Sequence, residues 1–144
     1  MRNYNFGDSL GHRIELCSRL MANRLNQKFK EHGYPVTAEQ WAIINYLLEK
    51  DGLSQNQLAE LVKKDYTSVS RLLDNMIKKN VVKRIQDPTD GRTNLIYLTK
   101  QGRDLEPRLM EQAKSHSENA FEGLTSDDIK MVSGVLDKII KNLK

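Results

Sequence analysis

The chain is poor in the residues that build disulfide-bonded, metal-binding and most catalytic proteins. Of its 144 residues only one is cysteine, Cys17, so no internal disulfide can form, and a lone thiol fits a reducing compartment. His12, His32 and His116 are dispersed, and none stands at a metal-ligand spacing from Cys17. With no glycine-rich phosphate loop and no nucleophile motif either, neither an enzyme, a metal nor a cofactor is expected. No run approaches the roughly 20 apolar residues of a membrane span. The stretch from Met1 to Phe6 lacks the apolar core of a signal peptide, so a cytoplasmic protein without a membrane partner is the expectation.

What is present is charge, unevenly placed. The net charge is +4, but the stretch from Lys63 to Arg103 alone holds ten Lys or Arg against four Asp, leaving the rest slightly acidic. A cationic middle is what phosphate binding by one face requires. At 38% hydrophobic content the chain can bury one ordinary core, so residues 1–144 read as a single domain.

Apolar residues Leu10, Ile14, Leu16, Cys17, Leu20, Met21, Leu25 and Phe29 recur by threes and fours, predicting a long first helix that stops near Gly33 and Pro35. Thr37 with Gln40, and Ser54 with Gln57, are capping boxes that open a second helix and a short third one. Asp65 is the expected N-cap of a fourth helix, Tyr66 to Lys79, burying Val69, Leu72, Leu73, Met76 and Ile77. Two β-prone runs, from Val81 and from Thr93, flank the turn formers Asp87-Pro88-Thr89-Asp90-Gly91 and read as a hairpin. A third short strand near Leu53 is allowed. Thr99 and Thr125 then cap two further helices, the first expected to kink at Pro107. The fold class is mainly α, with six helices and a two-stranded wing.

Two short helices in tandem, the second with a small polar face and a cationic hairpin behind it, are what major-groove entry requires. Thr67, Ser68 and Ser70 are small enough to let the helix approach base edges, and Arg71 and Asn75 reach further for their donors and acceptors. The free amides from Tyr66 to Ser68 also suit a phosphate. Ser54 and Gln55 are candidate phosphate donors, although capping alone accounts for them. Lys78, Lys79, Lys83 and Arg84 fit phosphate and plain surface roles equally, with Arg84 favoured at the hairpin base. Lys63 occupies the turn position where glycine is common. A left-handed Lys63 costs on the order of 1 kcal/mol, so a differently built turn is expected there.

The segments Leu53 to Leu61, Thr67 to Met76, Asp87-Pro88-Thr89-Asp90-Gly91-Arg92 and Leu98-Thr99-Lys100-Gln101-Gly102 resemble successive signatures of the MarR (multiple antibiotic resistance regulator) family. The resemblance covers nearly the whole chain, and the wing signature is its most specific part. It implies a homodimeric, ligand-responsive repressor that binds double-stranded DNA at pseudo-palindromic operators. Residues 37–99 would form the winged helix-turn-helix lobe, and residues 9–32 and 100–143 the dimerisation helices. It further implies that Arg92 enters the minor groove from the wing tip, with Asp90 holding the wing through an ion pair. A small aromatic or phenolic effector would sit where the dimer base meets the lobe, bordered by Trp41, although a core role suits a helix-borne Trp better. One branch of the family senses hydroperoxides through a cysteine on the first helix. Cys17, set among Ile14, Leu16, Leu20 and Met21, reads more simply as a packed core thiol. The rival from another class is a helical interaction module whose basic middle binds an acidic protein.

Overall fold

The computed structural model describes residues 3–144. Its elements run α1 (Leu10–Glu31), α2 (Ala38–Glu49), β1 (Leu53–Ser54), α3 (Gln55–Val62), α4 (Tyr66–Lys78), β2 (Val82–Gln86), β3 (Asn94–Leu98), α5 (Lys100–Ala120) and α6 (Ser126–Leu143). The sheet is antiparallel in the order β1-β3-β2, with Leu53 opposite Ile96 and Val82 opposite Leu98. The short third strand is therefore present, clamping the start of α3 onto the hairpin.

The caps form as the sequence predicts. Thr37, Ser54 and Thr125 each make a complete capping box, and Asp65 caps α4. The helix stops also share one geometry. After α1, Tyr34 N donates to the Phe29 carbonyl and Gly33 N to that of Lys30; after α3, Lys64 N donates to Ala59 and Lys63 N to Glu60; after α4, Val81 N donates to Met76 and Asn80 N to Ile77. Each is a Schellman stop with its pivotal residue left-handed: Gly33, Lys63 at φ 56°, and Asn80 at φ 61°. The expectation of a differently built turn at Lys63 is thus corrected. The turn is the usual one, and Lys63 bears its strain.

The core gathers Phe29, Ile43, Ile44, Leu47, Leu58, Val69, Leu73, Met76, Val82, Ile96 and Leu109 around α2 and the sheet. Leu58 and Ala59 carry the buried side of α3, and Leu61 is exposed. Pro107 does not end α5; both it and Arg103, whose carbonyl loses its donor, lie on the exposed side. Gly102 explains the Leu-Thr-x-x-Gly signature. A Cβ there would stand 2.2 Å from the Val81 carbonyl oxygen, so only glycine lets α5 start against the α4–β2 corner. Thr99 fastens the same corner, donating its hydroxyl to the carbonyls of Asn80 (2.6 Å) and Val81 (3.0 Å).

Core packing ends with α5. Along α6, Ile129, Met131, Val132, Val135, Leu136, Ile140 and Leu143 are exposed, as are Leu10, Leu16 and Leu20 on α1. Cys17, expected in the core, is also exposed, since no element of its own chain covers that part of α1. With Ile14, Met21, Val132 and Leu136 it lines an apolar groove of about 500 Å³ between α1 and α6.

Candidate nucleic-acid interface

Val69, Leu73 and Met76 turn one face of α4 into the core, which leaves Thr67, Arg71, Asp74, Asn75 and Lys78 on the exposed side. Ser70 is half-buried on the flank. Ser68 differs from its expected role. The Asp65 carboxylate accepts from both its backbone N (2.7 Å) and its hydroxyl (3.0 Å), bonds that hold the Asp65 carboxyl below its ordinary range. The first turn of α4 therefore already carries an anion. The Ser68 amide is thereby taken, while those of Tyr66 and Thr67 make no hydrogen bond among the described residues, and the Ser68 hydroxyl has only its lone pairs to offer.

Asp74 is an acidic residue on an otherwise polar and basic face, and its charge is answered locally. Arg84 on β2 donates from Nη2 to Asp74 Oδ1 at 2.9 Å, with its side chain 28% exposed. This bond joins α4 to the base of the hairpin, so Arg84 is already engaged within the chain. Lys78, Lys79 and Lys83 are exposed, and none has an ion-pair partner among the described residues.

The wing tip is organised by its aspartates. Asp87 accepts from the Thr89 backbone (2.9 Å) and hydroxyl (2.8 Å), which lowers its carboxyl pKa, and Asp87 N donates to the Thr93 carbonyl at 2.8 Å. Asp90 accepts from Arg92 N (3.1 Å) and from the Thr93 hydroxyl (3.0 Å). Arg92 Nε lies 3.7 Å from Asp90 Oδ1, and its side chain is 97% exposed. Asp90 thus shapes the loop through the Arg92 backbone and the Thr93 hydroxyl. The long, loose ion pair leaves the Arg92 guanidinium free to project.

Two candidates behind α4 are placed differently. Ser54 accepts from Gln57 N (3.1 Å) as a cap. Gln55, expected as a surface donor, is only 3% exposed, because β1 pairing turns its side chain inward; this corrects its assignment as a phosphate contact. Trp41 packs edge-on against Phe29 at 6.4 Å and is half-buried at the α1–α2 corner.

Gln40 was missed as a site residue. The capping box signals it, but its further reach to the Leu72 carbonyl and Asn75 side chain depends on how α2 crosses α4.

Comparison with known proteins agrees with this architecture. Residues 32–93, from the α1–α2 corner to the wing, match the model of the MarR family. The HTH-type transcriptional regulator YybA of Bacillus subtilis is 24% identical over 131 residues, spanning 91% of this chain and 86% of that protein. PapX, an HTH-type transcriptional regulator of Escherichia coli, is 23% identical and covers 88% of this chain and 79% of its own. Among solved structures, the transcriptional regulator SlyA superimposes with a TM-score of 0.83 at 24% identity, covering 94% of both chains. A mutant MarR from E. coli complexed with operator DNA superimposes with a TM-score of 0.86 at 21% identity, covering 96% of this chain and 99% of that one. The chain is thus similar to the MarR family over residues 32–93 and to HTH-type transcriptional regulators over most of its length, and it shares the fold of the solved SlyA and MarR chains.

Proposed function

We propose that this chain is a transcriptional regulator of the MarR family that binds pseudo-palindromic double-stranded DNA as a homodimer and represses transcription until a small effector releases it. One observation carries the DNA reading: the Asp74–Arg84 bond ties α4, with its open polar face, to the base of the hairpin whose tip projects Arg92. Thr67, Ser70 and Arg71 would meet base edges in the major groove, with Asn75 beside them. Arg92 would enter the adjacent minor groove, where a narrow groove concentrates negative potential. Ser54 remains in the proposed surface as the α3 cap with its hydroxyl hydrogen left for a phosphate, and Ser68 remains as an acceptor. Asp90 shapes the wing, and Arg84 fixes its base.

Dimerisation is supported by the uncovered apolar faces of α1 and α6, since contiguous exposed apolar surface marks an interaction site. In this reading residues 9–32 and 100–143 form the dimer base and residues 37–99 the DNA-binding lobe. Cys17 then lies within the interface groove, which favours a packing role over redox sensing. The effector would be an aromatic or phenolic molecule near Trp41, where α1 joins base to lobe. A ligand that prefers the dimer with misplaced lobes weakens DNA binding by linkage, typically by about 1 to 3 kcal/mol.

Selecting bound duplexes from a randomised pool tests the proposal. The expected product is an inverted repeat with half-site centres roughly 34 Å apart. Enrichment of acidic proteins but of no duplex would instead favour the interaction-module reading.

A further inference from the structure

Gln40 stands at the third position of α2 and is 3% exposed, yet every polar atom of its side chain is engaged. Its Oε1 accepts from the backbone N–H of Thr37 at 2.9 Å. Its Nε2 donates to the backbone carbonyl of Leu72 at 3.3 Å and to Asn75 Oδ1 at 3.0 Å.

The two backbone partners remove the usual ambiguity of amide orientation. A backbone N–H can only donate and a carbonyl can only accept, so the Gln40 amide has a single consistent orientation. The Asn75 atom facing its Nε2 must then be the oxygen. Asn75 Oδ1 is turned inward to a buried partner, and Nδ2, which makes no hydrogen bond among the described residues, is left toward the exposed side of α4.

We propose that Gln40 is a positioning residue that makes Asn75 a hydrogen-bond donor toward DNA, so that Asn75 selects a base edge offering an acceptor and rejects cytosine. The proposal rests on the DNA-binding reading above. An unconstrained asparagine pairs with adenine through both ends of its amide, donating to N7 and accepting from N6. With its oxygen held by Gln40, Asn75 keeps the donating half. Guanine N7 and O6, adenine N7 and thymine O4 all suit it in the major groove, whereas the cytosine edge presents only the N4 donor. One position per half-site should therefore be defined by what it excludes.

The test is duplex selection repeated with Gln40→Met, Gln40→Glu and Asn75→Ala, each checked by thermal melting. Wild type should disfavour cytosine at one position of each half-site, and Asn75→Ala should lose that discrimination while keeping the rest of the motif. Gln40→Met preserves volume and leaves the Leu72 carbonyl its helical partner, so the fold survives. The freed Asn75 amide can then turn either way, and discrimination against cytosine should fall by about fivefold, the worth of one hydrogen bond. Gln40→Glu offers Asn75 an acceptor instead once it is ionised at high pH, whereas its protonated form still donates. On ionisation the Asn75 amide should reverse and cytosine should become tolerated.

Unchanged discrimination in a folded Gln40→Met protein would overturn the positioning role. Equal weakening of all sequences by Asn75→Ala would mean a phosphate contact and overturn the base reading. If wild type enriches no duplex, the DNA-binding reading itself falls, whereas a normal motif indifferent to both residues sinks this inference alone.

Discussion

Lys63 holds a left-handed conformation at φ 56°, ψ 46° because the turn between α3 and α4 needs it. Its side chain pairs with Glu60 on the surface, a contact worth little in water. Lys63→Gly should raise stability by up to about 1 kcal/mol, the strain relieved less the chain entropy glycine adds. A thermal melt checks this, and a lower melting temperature would contradict it. His116 carries a different cost. It is 6% exposed on α5, its Nε2 has no partner among the described residues, and burial, then Lys28 and Arg24, depress its pKa. The unfolded chain therefore takes up the proton first. Stability should be fully present above the ordinary histidine range and fall as pH drops through it toward the lower folded value. Melting temperatures of wild type and His116→Gln should diverge in that window, with the wild type the more pH-sensitive; parallel curves would contradict the account. The cost at Lys63 is legible from its place in the turn, whereas that at His116 depends on what packs around it.

At the scale of elements, the caps and helices were legible because their signals are local. Thr37, Ser54, Asp65 and Thr125 each act within three residues of themselves, and the turn formers from Asp87 to Gly91 bend where they stand. Pairings across elements were not legible. The inward turn of Gln55, the Gln40–Asn75 bond and the Asp74–Arg84 bond depend on how α2, α4 and β2 meet. Arg84 shows the consequence. As a residue holding the wing, rather than a phosphate ligand, it should contribute no counterion release. Arg84→Gln should lower affinity without changing the slope of log affinity against log salt, whereas a phosphate ligand would reduce that slope by about one.

For the whole molecule, the chain gathers cationic and polar side chains on α4 and the hairpin and leaves apolar α6 and the first half of α1 uncovered. The fold class and the wing could be read from the sequence because the core alternates with caps in a fixed order. The exposure of Cys17 could not, since an apolar helix stripe looks the same whether its own chain or a second copy covers it. Among the described residues no helix is long and apolar enough to cross a membrane. The central claim is sequence-specific DNA binding, and the most direct measurement is affinity for the selected duplex against a scrambled one across a salt series. The account predicts at least about a thousandfold preference at physiological salt and a steep loss of affinity as salt rises. Equal affinity for the two duplexes would contradict it.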